Sequence, residues 1–173
     1  MNIDNIKNSI RNIPDFPKRG IQFKDITTLL QNKGVFQETI DCFYNQFKDK
    51  KIDVIVGIES RGFIFAAPLA LRLDCRFVLA RKSGKLPGKT VQAEYALEYG
   101  ADAIEIHADA INEGDKVLII DDLLATGGTA NATGSIVKKL KGEIISYAFL
   151  IILSDLKGKA VLKPYSVYNI IEY

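Results

Sequence analysis

Apolar residues recur at helical spacing near the start of the chain, at Ile3, Ile6, Ile10 and Ile13, and predict a helix over 2–12 that Pro14 and Pro17 end. GIQFKDITTLL (20–30) carries no clear period and reads as extended or irregular. A stronger helical stripe follows over 35–49, where Phe36, Ile40, Phe43, Tyr44 and Phe47 share one face after Gly34. Strands and helices then alternate. DVIVGIE (53–59) is a strand, RGFIFAAPLALRLD (61–74) a buried helix that Pro68 can kink, and RFVLAR (76–81) a second strand. KSGKLPGKTVQAE (82–94) breaks the rhythm with two glycines, a proline and three lysines, and reads as a long exposed loop of the kind used as a lid. Period-2 alternation returns in the second half of 95–107, and KVLIID (116–121) is an apolar strand. A glycine-opened helix spans 126–142, with lysines in its last turn and Gly142 beyond it. EIISYAFLIIL (143–153) and SVYNIIEY (166–173) are the final strands.

Strands alternating with helices imply a parallel sheet covered on both faces, with ligands at the carboxyl ends of the strands. Three strands end in polar groups: DVIVGIE runs into Ser60-Arg61-Gly62, RFVLAR into the lysine loop, and VLIID into Asp122. The 173 residues suffice for one domain, and neither a repeat nor a linker divides them. The 23 Lys+Arg are offset by 21 Asp+Glu, so the charge balance does not suggest nucleic-acid binding. The longest apolar runs fall far short of a membrane span, and the first residues lack the features of a signal peptide. Cys42 and Cys75 lack CxxC spacing and read as free buried thiols of a cytosolic protein. His107 is the only histidine, which disfavours a histidine metal site or triad.

The chemistry concentrates in VLIIDDLLATGGT (117–129). Two adjacent carboxylates repel one another, so their place at the end of an apolar strand calls for a ligand or a partner. The ATGGT turn that follows supplies backbone N–H groups at a helix start, where the dipole favours an anion. Gly127 and Gly128 let backbone approach a phosphate, and the Thr126 and Thr129 hydroxyls can donate to it. Neither a Walker loop nor a GxGxxG fingerprint is present. Acids before a phosphate nest suit a ribose phosphate, the carboxylates accepting from the 2′- and 3′-hydroxyls while the nest holds the 5′-phosphate. A purely structural strand–turn–helix is one alternative. A receiver domain is another, but its acidic pair would come early in the chain.

VLIIDDLLATGGT resembles the phosphoribosyl pyrophosphate motif of the type I phosphoribosyltransferases. Together with KLPGKT (85–90), YALEYGADAIEIHADAI (95–111), DFPKRGIQFKDITTLL (15–30) and GIESRGFIFAAPLA (57–70), it resembles the adenine phosphoribosyltransferases over nearly the whole chain. The resemblance implies an α/β type I phosphoribosyltransferase fold: a mainly parallel central sheet flanked by helices, a small N-terminal hood (about 1–34) and a mobile catalytic loop (about 82–99) in one domain, 1–173. It implies a cytoplasmic homodimer that makes AMP and pyrophosphate from adenine and phosphoribosyl pyrophosphate in purine salvage, binding neither nucleic acid nor membrane.

The resemblance also distributes roles. Asp121 and Asp122 hold ribose, and Ala125, Thr126, Gly127, Gly128 and Thr129 cradle the 5′-phosphate. Ser60, Arg61, Arg81, Lys82 and Lys85 manage pyrophosphate, Arg61 with a permanent planar charge. Glu98 is the catalytic carboxyl, brought in by the loop, with Tyr99 beside it. Gln22 reads adenine through its backbone, with Phe23 and Leu123 sandwiching the ring and Lys24 beside them. The cofactor is Mg2+, held through substrate and water near Asp121 and Asp122 rather than by protein ligands. Lys24 is a departure, because the family pattern there is Phe-Arg-Asp and lysine cannot reproduce a bidentate guanidinium contact. Two rivals remain at this stage: a transferase for another purine, and a regulatory protein that senses phosphoribosyl pyrophosphate or a nucleotide.

Overall fold

The computed structural model describes residues 3–97 and 100–173. The core is the sheet that strand–helix alternation predicts. Five strands run parallel: β3 (Val54–Ile58), β4 (Arg76–Lys82), β7 (Lys116–Leu124), β8 (Glu143–Ile152) and β9 (Val167–Glu172). Two more, β5 (Thr90–Leu97) and β6 (Gly100–His107), form an antiparallel hairpin that docks beside β4, giving the order β5-β6-β4-β3-β7-β8-β9. The sheet is therefore mainly, not wholly, parallel.

Alternation along β3 and β7 feeds two cores. Ile55, Leu118 and Ile120 pack with α3 (Lys33–Phe47) and α4 (Gly62–Leu73), where Phe43, Phe47, Phe65 and Leu69 are buried. Val54, Val56, Val117 and Ile119 pack with Ile136 and Val137 of α5 (Gly128–Lys139). Asn32 caps α3, its side chain accepting from the Gly34 and Val35 N–H groups. Burial on both faces explains why these strands read as continuous apolar runs.

Three expectations needed correction. The N-terminal helix is shorter than 2–12: α1 spans Ile3–Asn8, the Ser9 hydroxyl donates to the Ile6 carbonyl at 2.7 Å, and the chain turns into β1 (Arg11–Pro14). Three-residue spacing fitted a helix, but pairing with β2 (Gln22–Asp25) decides the conformation of 11–14. The stretch 20–30, expected to be extended or irregular, is extended in β2 but helical in α2 (Thr27–Gln31). The loop expected over 82–94 closes early, because β5 begins at Thr90. Its alternation, with Val91, Ala93 and Tyr95 inward and Gln92 and Glu94 exposed, was masked by small and polar residues.

The β1–β2 pair forms a second, two-stranded sheet, with α1 and α2 beside it in sequence. Asp25 ties it together, accepting from the Arg11 guanidinium and from the Thr27 N–H and hydroxyl, which holds its carboxyl down to about 2. After β8 comes a single 3-10 turn, Ser154–Leu156, and a short α6, Gly158–Val161, neither foreseen.

Candidate active site

β3 and β7 are neighbours, so the turns after them open at the same end of the sheet. Alternation along β7 holds to Ile120 and is out of phase by Leu123 and Leu124, which join the first and second cores respectively. The two aspartates occupy this slip, and Asp121 Oδ1 accepts the Asp122 N–H at 2.8 Å. Arg61, at the start of α4, sets its Nε 2.7 Å from Asp122 Oδ2. That oxygen is buried and accepts no aligned hydrogen bond, so it is balanced by charge but keeps a free acceptor direction. Burial, then the Asp122 charge, pushes the Asp121 carboxyl well above the usual range; burial raises Asp122 as well, against the opposing pull of Arg61.

Gly62 makes this convergence possible. A Cβ there would lie 2.8 Å from the Ile120 carbonyl oxygen and 3.0 Å from Asp121 Oδ1. The Glu59–Ser60 peptide just before it is cis. On the other side of Asp121, Gly127 has φ +86° and opens α5 without a side-chain cap. The first N–H groups of α5 are thus available to an outside anion. The turn at 125–127 is braced from behind by α6. A Cβ at Gly127 would come 2.9 Å from the Gly158 carbonyl, and one at Gly158 would come 2.2 Å from the Ala125 carbonyl. Sequence reasoning missed this brace, although a lone glycine after a polar turn was its available signal.

Two adjoining hollows result. One of about 310 Å³ is lined by Glu59, Ser60, Arg61, Asp121, Asp122 and Leu123. The other, about 100 Å³, is lined by Asp121, Leu123, Leu124, Phe149 and the turn from Ala125 to Ala130. Asp121 and Leu123 belong to both, so one ligand with charged groups at two ends can span them. Hollows of about 500 Å³ near His107 and about 580 Å³ near Cys75 are larger, but neither joins paired carboxylates to an uncapped helix start.

The remaining predicted residues divide into groups. Arg81 forks onto Glu59, with Nε and Nη2 donating at 3.1 and 3.2 Å, and its Nη1 donates to the Lys85 carbonyl. Lys82 pairs with Asp102 at 3.2 Å, and Lys85 lies exposed on the loop. None of these cations lines the first hollow, and Arg81 reaches its wall through Glu59. Phe23 lies over the same end, its ring centroid 5.5 Å from the Arg61 guanidinium carbon, while Phe16 meets it edge-on. Gln22 and Lys24, one residue either side, both bond to Asn12 on the opposite face of β2. Glu98 and Tyr99 lie outside the described residues. Sequence reasoning passed over Glu105, a buried β6 carboxylate that accepts from the Lys85 and Leu86 N–H groups, both at 2.9 Å, and from Thr90 and Gln92. It fixes the root of the lysine loop. Among the described residues no three His, Cys, Asp or Glu side chains gather as a metal cluster.

The strand-end acid pair lies beside the starts of α4 and α5, neither of which has a side-chain cap, and known proteins give the chain a family. The phosphoribosyl transferase domain matches residues 25–172, so the chain belongs to that family. Full-length relatives narrow it. The adenine phosphoribosyltransferase of Brachyspira hyodysenteriae is 53% identical over 97% of this chain and 99% of its own, and that of Halothermothrix orenii is also 53% identical, over 96% and 98%. The crystal structure of adenine phosphoribosyltransferase from Thermoanaerobacter pseudethanolicus superimposes with a TM-score of 0.97 at 47% identity, over 99% of this chain and 100% of the other. That of Saccharomyces cerevisiae, complexed with an imino-altritol bisphosphate and adenine, gives 0.93 at 42% over 97% of each chain. Among phosphoribosyltransferases, then, this is a member of the adenine phosphoribosyltransferase family.

Proposed function

We propose that this protein transfers the 5-phosphoribosyl group from phosphoribosyl pyrophosphate to adenine, forming AMP and pyrophosphate in purine salvage. The observation that carries the reading is the pair of adjoining hollows sharing Asp121, one beside Arg61 and one at the start of α5. The 5′-phosphate fits the N–H groups and hydroxyls from Ala125 to Thr129, and the ribose hydroxyls fit the aspartates. Pyrophosphate takes Ser60 and Arg61, with Arg81, Lys82 and Lys85 reaching it when the loop closes. As the bond from the anomeric carbon to pyrophosphate breaks, negative charge grows on the leaving group, and a fixed cation and helix starts stabilise it without reorganising. Adenine enters between Phe23 and Leu123. The Gln22 C=O accepts from its 6-amino group and the Gln22 N–H donates to N1, a polarity that 6-oxo purines reverse. Glu98 is the carboxyl that exchanges a proton with the purine or faces the positive ribose.

The residues also fit a hard divalent cation. The aspartates offer only oxygen, Asp122 Oδ2 keeps an acceptor direction free, and so few ligands suit an ion that retains water. Bound there with the substrate, Mg2+ would neutralise pyrophosphate charge. The 1–34 hood, the mobile loop, a homodimer and a cytoplasmic location belong to the same proposal, and sedimentation tests the dimer. No helix among the described residues is long and apolar enough to cross a membrane.

The test is product formation with Mg2+, phosphoribosyl pyrophosphate and, separately, adenine, hypoxanthine or guanine. AMP from adenine alone is expected. Turnover of a 6-oxo purine would overturn the base assignment, and binding of the sugar diphosphate without turnover would favour a regulatory protein.

A further inference from the structure

The base-reading strand is held from behind by a residue far away in sequence. Lys24 Nζ sits 4.0 Å from the centroid of the Tyr173 ring, and Lys7 Nζ of α1 approaches the same ring at 5.0 Å. Both hood elements thus place a cation against one aromatic ring. The ring stands on a fixed support. The Tyr173 N–H donates to the Ile152 carbonyl at 3.0 Å, and its carbonyl accepts from the Ser154 N–H at 2.9 Å, so the backbone beneath it is locked to the end of β8. From the ring a polar chain runs along the surface of the β1–β2 pair. Lys24 Nζ donates to Asn12 Oδ1 at 3.1 Å, and Asn12 Nδ2 donates to Gln22 Oε1 at 2.6 Å. It ends on the residue whose backbone is proposed to read adenine. Phe23, between Gln22 and Lys24, points the other way, toward Arg61.

We infer that Tyr173 is a positioning residue for adenine recognition, its ring holding Lys24 and, through Asn12, the Gln22 backbone in register with Phe23. Resting on the functional reading above, this recasts Lys24. Its side chain anchors the hood from outside instead of contacting the base, so it needs a positive charge on a flexible stem and no planar fork. Neither Lys24 nor Tyr173 lines either hollow, so the effect should fall mainly on the base.

Steady-state kinetics of Tyr173→Leu, Tyr173→Phe, Lys24→Met and the Leu/Met double variant test this, with melting curves confirming folding. For Tyr173→Leu we expect adenine KM to rise about threefold to tenfold, the range of one partly desolvated cation–π contact, with kcat and the KM for phosphoribosyl pyrophosphate within about twofold of wild type. Tyr173→Phe keeps the ring and should match wild type. Lys24→Met should raise adenine KM similarly, and the double variant should be no worse than either single change, as partners in one contact require. An unchanged adenine KM in Tyr173→Leu or Lys24→Met, equal rises in both KM values, or additive effects would overturn the anchor. Should Tyr173→Leu fail to fold, the surface change Lys24→Met decides alone. Wild-type protein that forms no AMP would refute the functional reading; AMP formation with an unaltered adenine KM in the variants would refute only the anchor.

Discussion

Gly62→Ala tests whether the turn before α4 and the β7 carboxylates form one rigid unit, as the proposed substrate site requires. The new methyl would meet the Ile120 carbonyl oxygen at 2.8 Å, Asp121 Oδ1 at 3.0 Å and Asp121 Cα at 3.1 Å. Two of these atoms are backbone of a central strand and cannot rotate away. Ordinary contacts need about 3.5 Å, so the start of α4 must retreat by roughly half an ångström. Overpacking of this kind costs about 1–3 kcal/mol, offset by up to about 1 kcal/mol from removing a helical glycine. Stability should therefore fall by only about 1 kcal/mol. Function should fall further, because the retreat carries Arg61 away from Asp122, now 2.7 Å from it. Displacements near 1 Å can cost about a hundredfold, and half of that suggests about tenfold. The assay is initial-rate AMP formation at saturating adenine with phosphoribosyl pyrophosphate varied. A kcat/KM for the sugar diphosphate within twofold of wild type would refute the claim that close approach at Gly62 sets the site.

Three further outcomes follow from the same geometry. Asp121→Asn should raise the melting temperature near neutral pH while weakening phosphoribosyl pyrophosphate binding, measured by calorimetry. Because the folded carboxyl is raised, its charge burdens the fold above that raised value, so the gain should shrink as pH falls through it and vanish below the ordinary carboxylate range; a gain that grows in acid would contradict this. Glu105→Ala should cost about 3 kcal/mol in urea unfolding, since it strips a charged acceptor from two backbone N–H groups at the loop root. Burial raises that carboxyl, but its donors outweigh burial and hold it low, so the deficit should narrow only as pH falls below the usual glutamate range. Gly134→Ala would place a methyl 2.0 Å from the buried Tyr147 hydroxyl, so it should destabilise by about 2–3 kcal/mol, and Tyr147→Phe in the same chain should recover most of the loss in thermal melts.

The sequence by itself determined the parallel core and the glycine turn that opens α5. Strands buried on both faces must be apolar throughout, helices over them must carry an apolar stripe, and an anion nest needs glycines and hydroxyls at adjacent positions. All three are local and survive in one dimension, which is why VLIIDDLLATGGT could be read before the fold was known. Tertiary structure decided what depends on residues distant in sequence. Residues 11–14 became a strand because β2 lies beside them. Thr90–Leu97 became one because β6 pairs with it and leads into β4. Pairing across the sheet brought Arg61 to Asp122, 61 positions away, and packing set the Tyr173 ring against Lys24 from the other end of the sequence. No local pattern marks such contacts, because each is fixed by where the elements pack and not by the residues alongside.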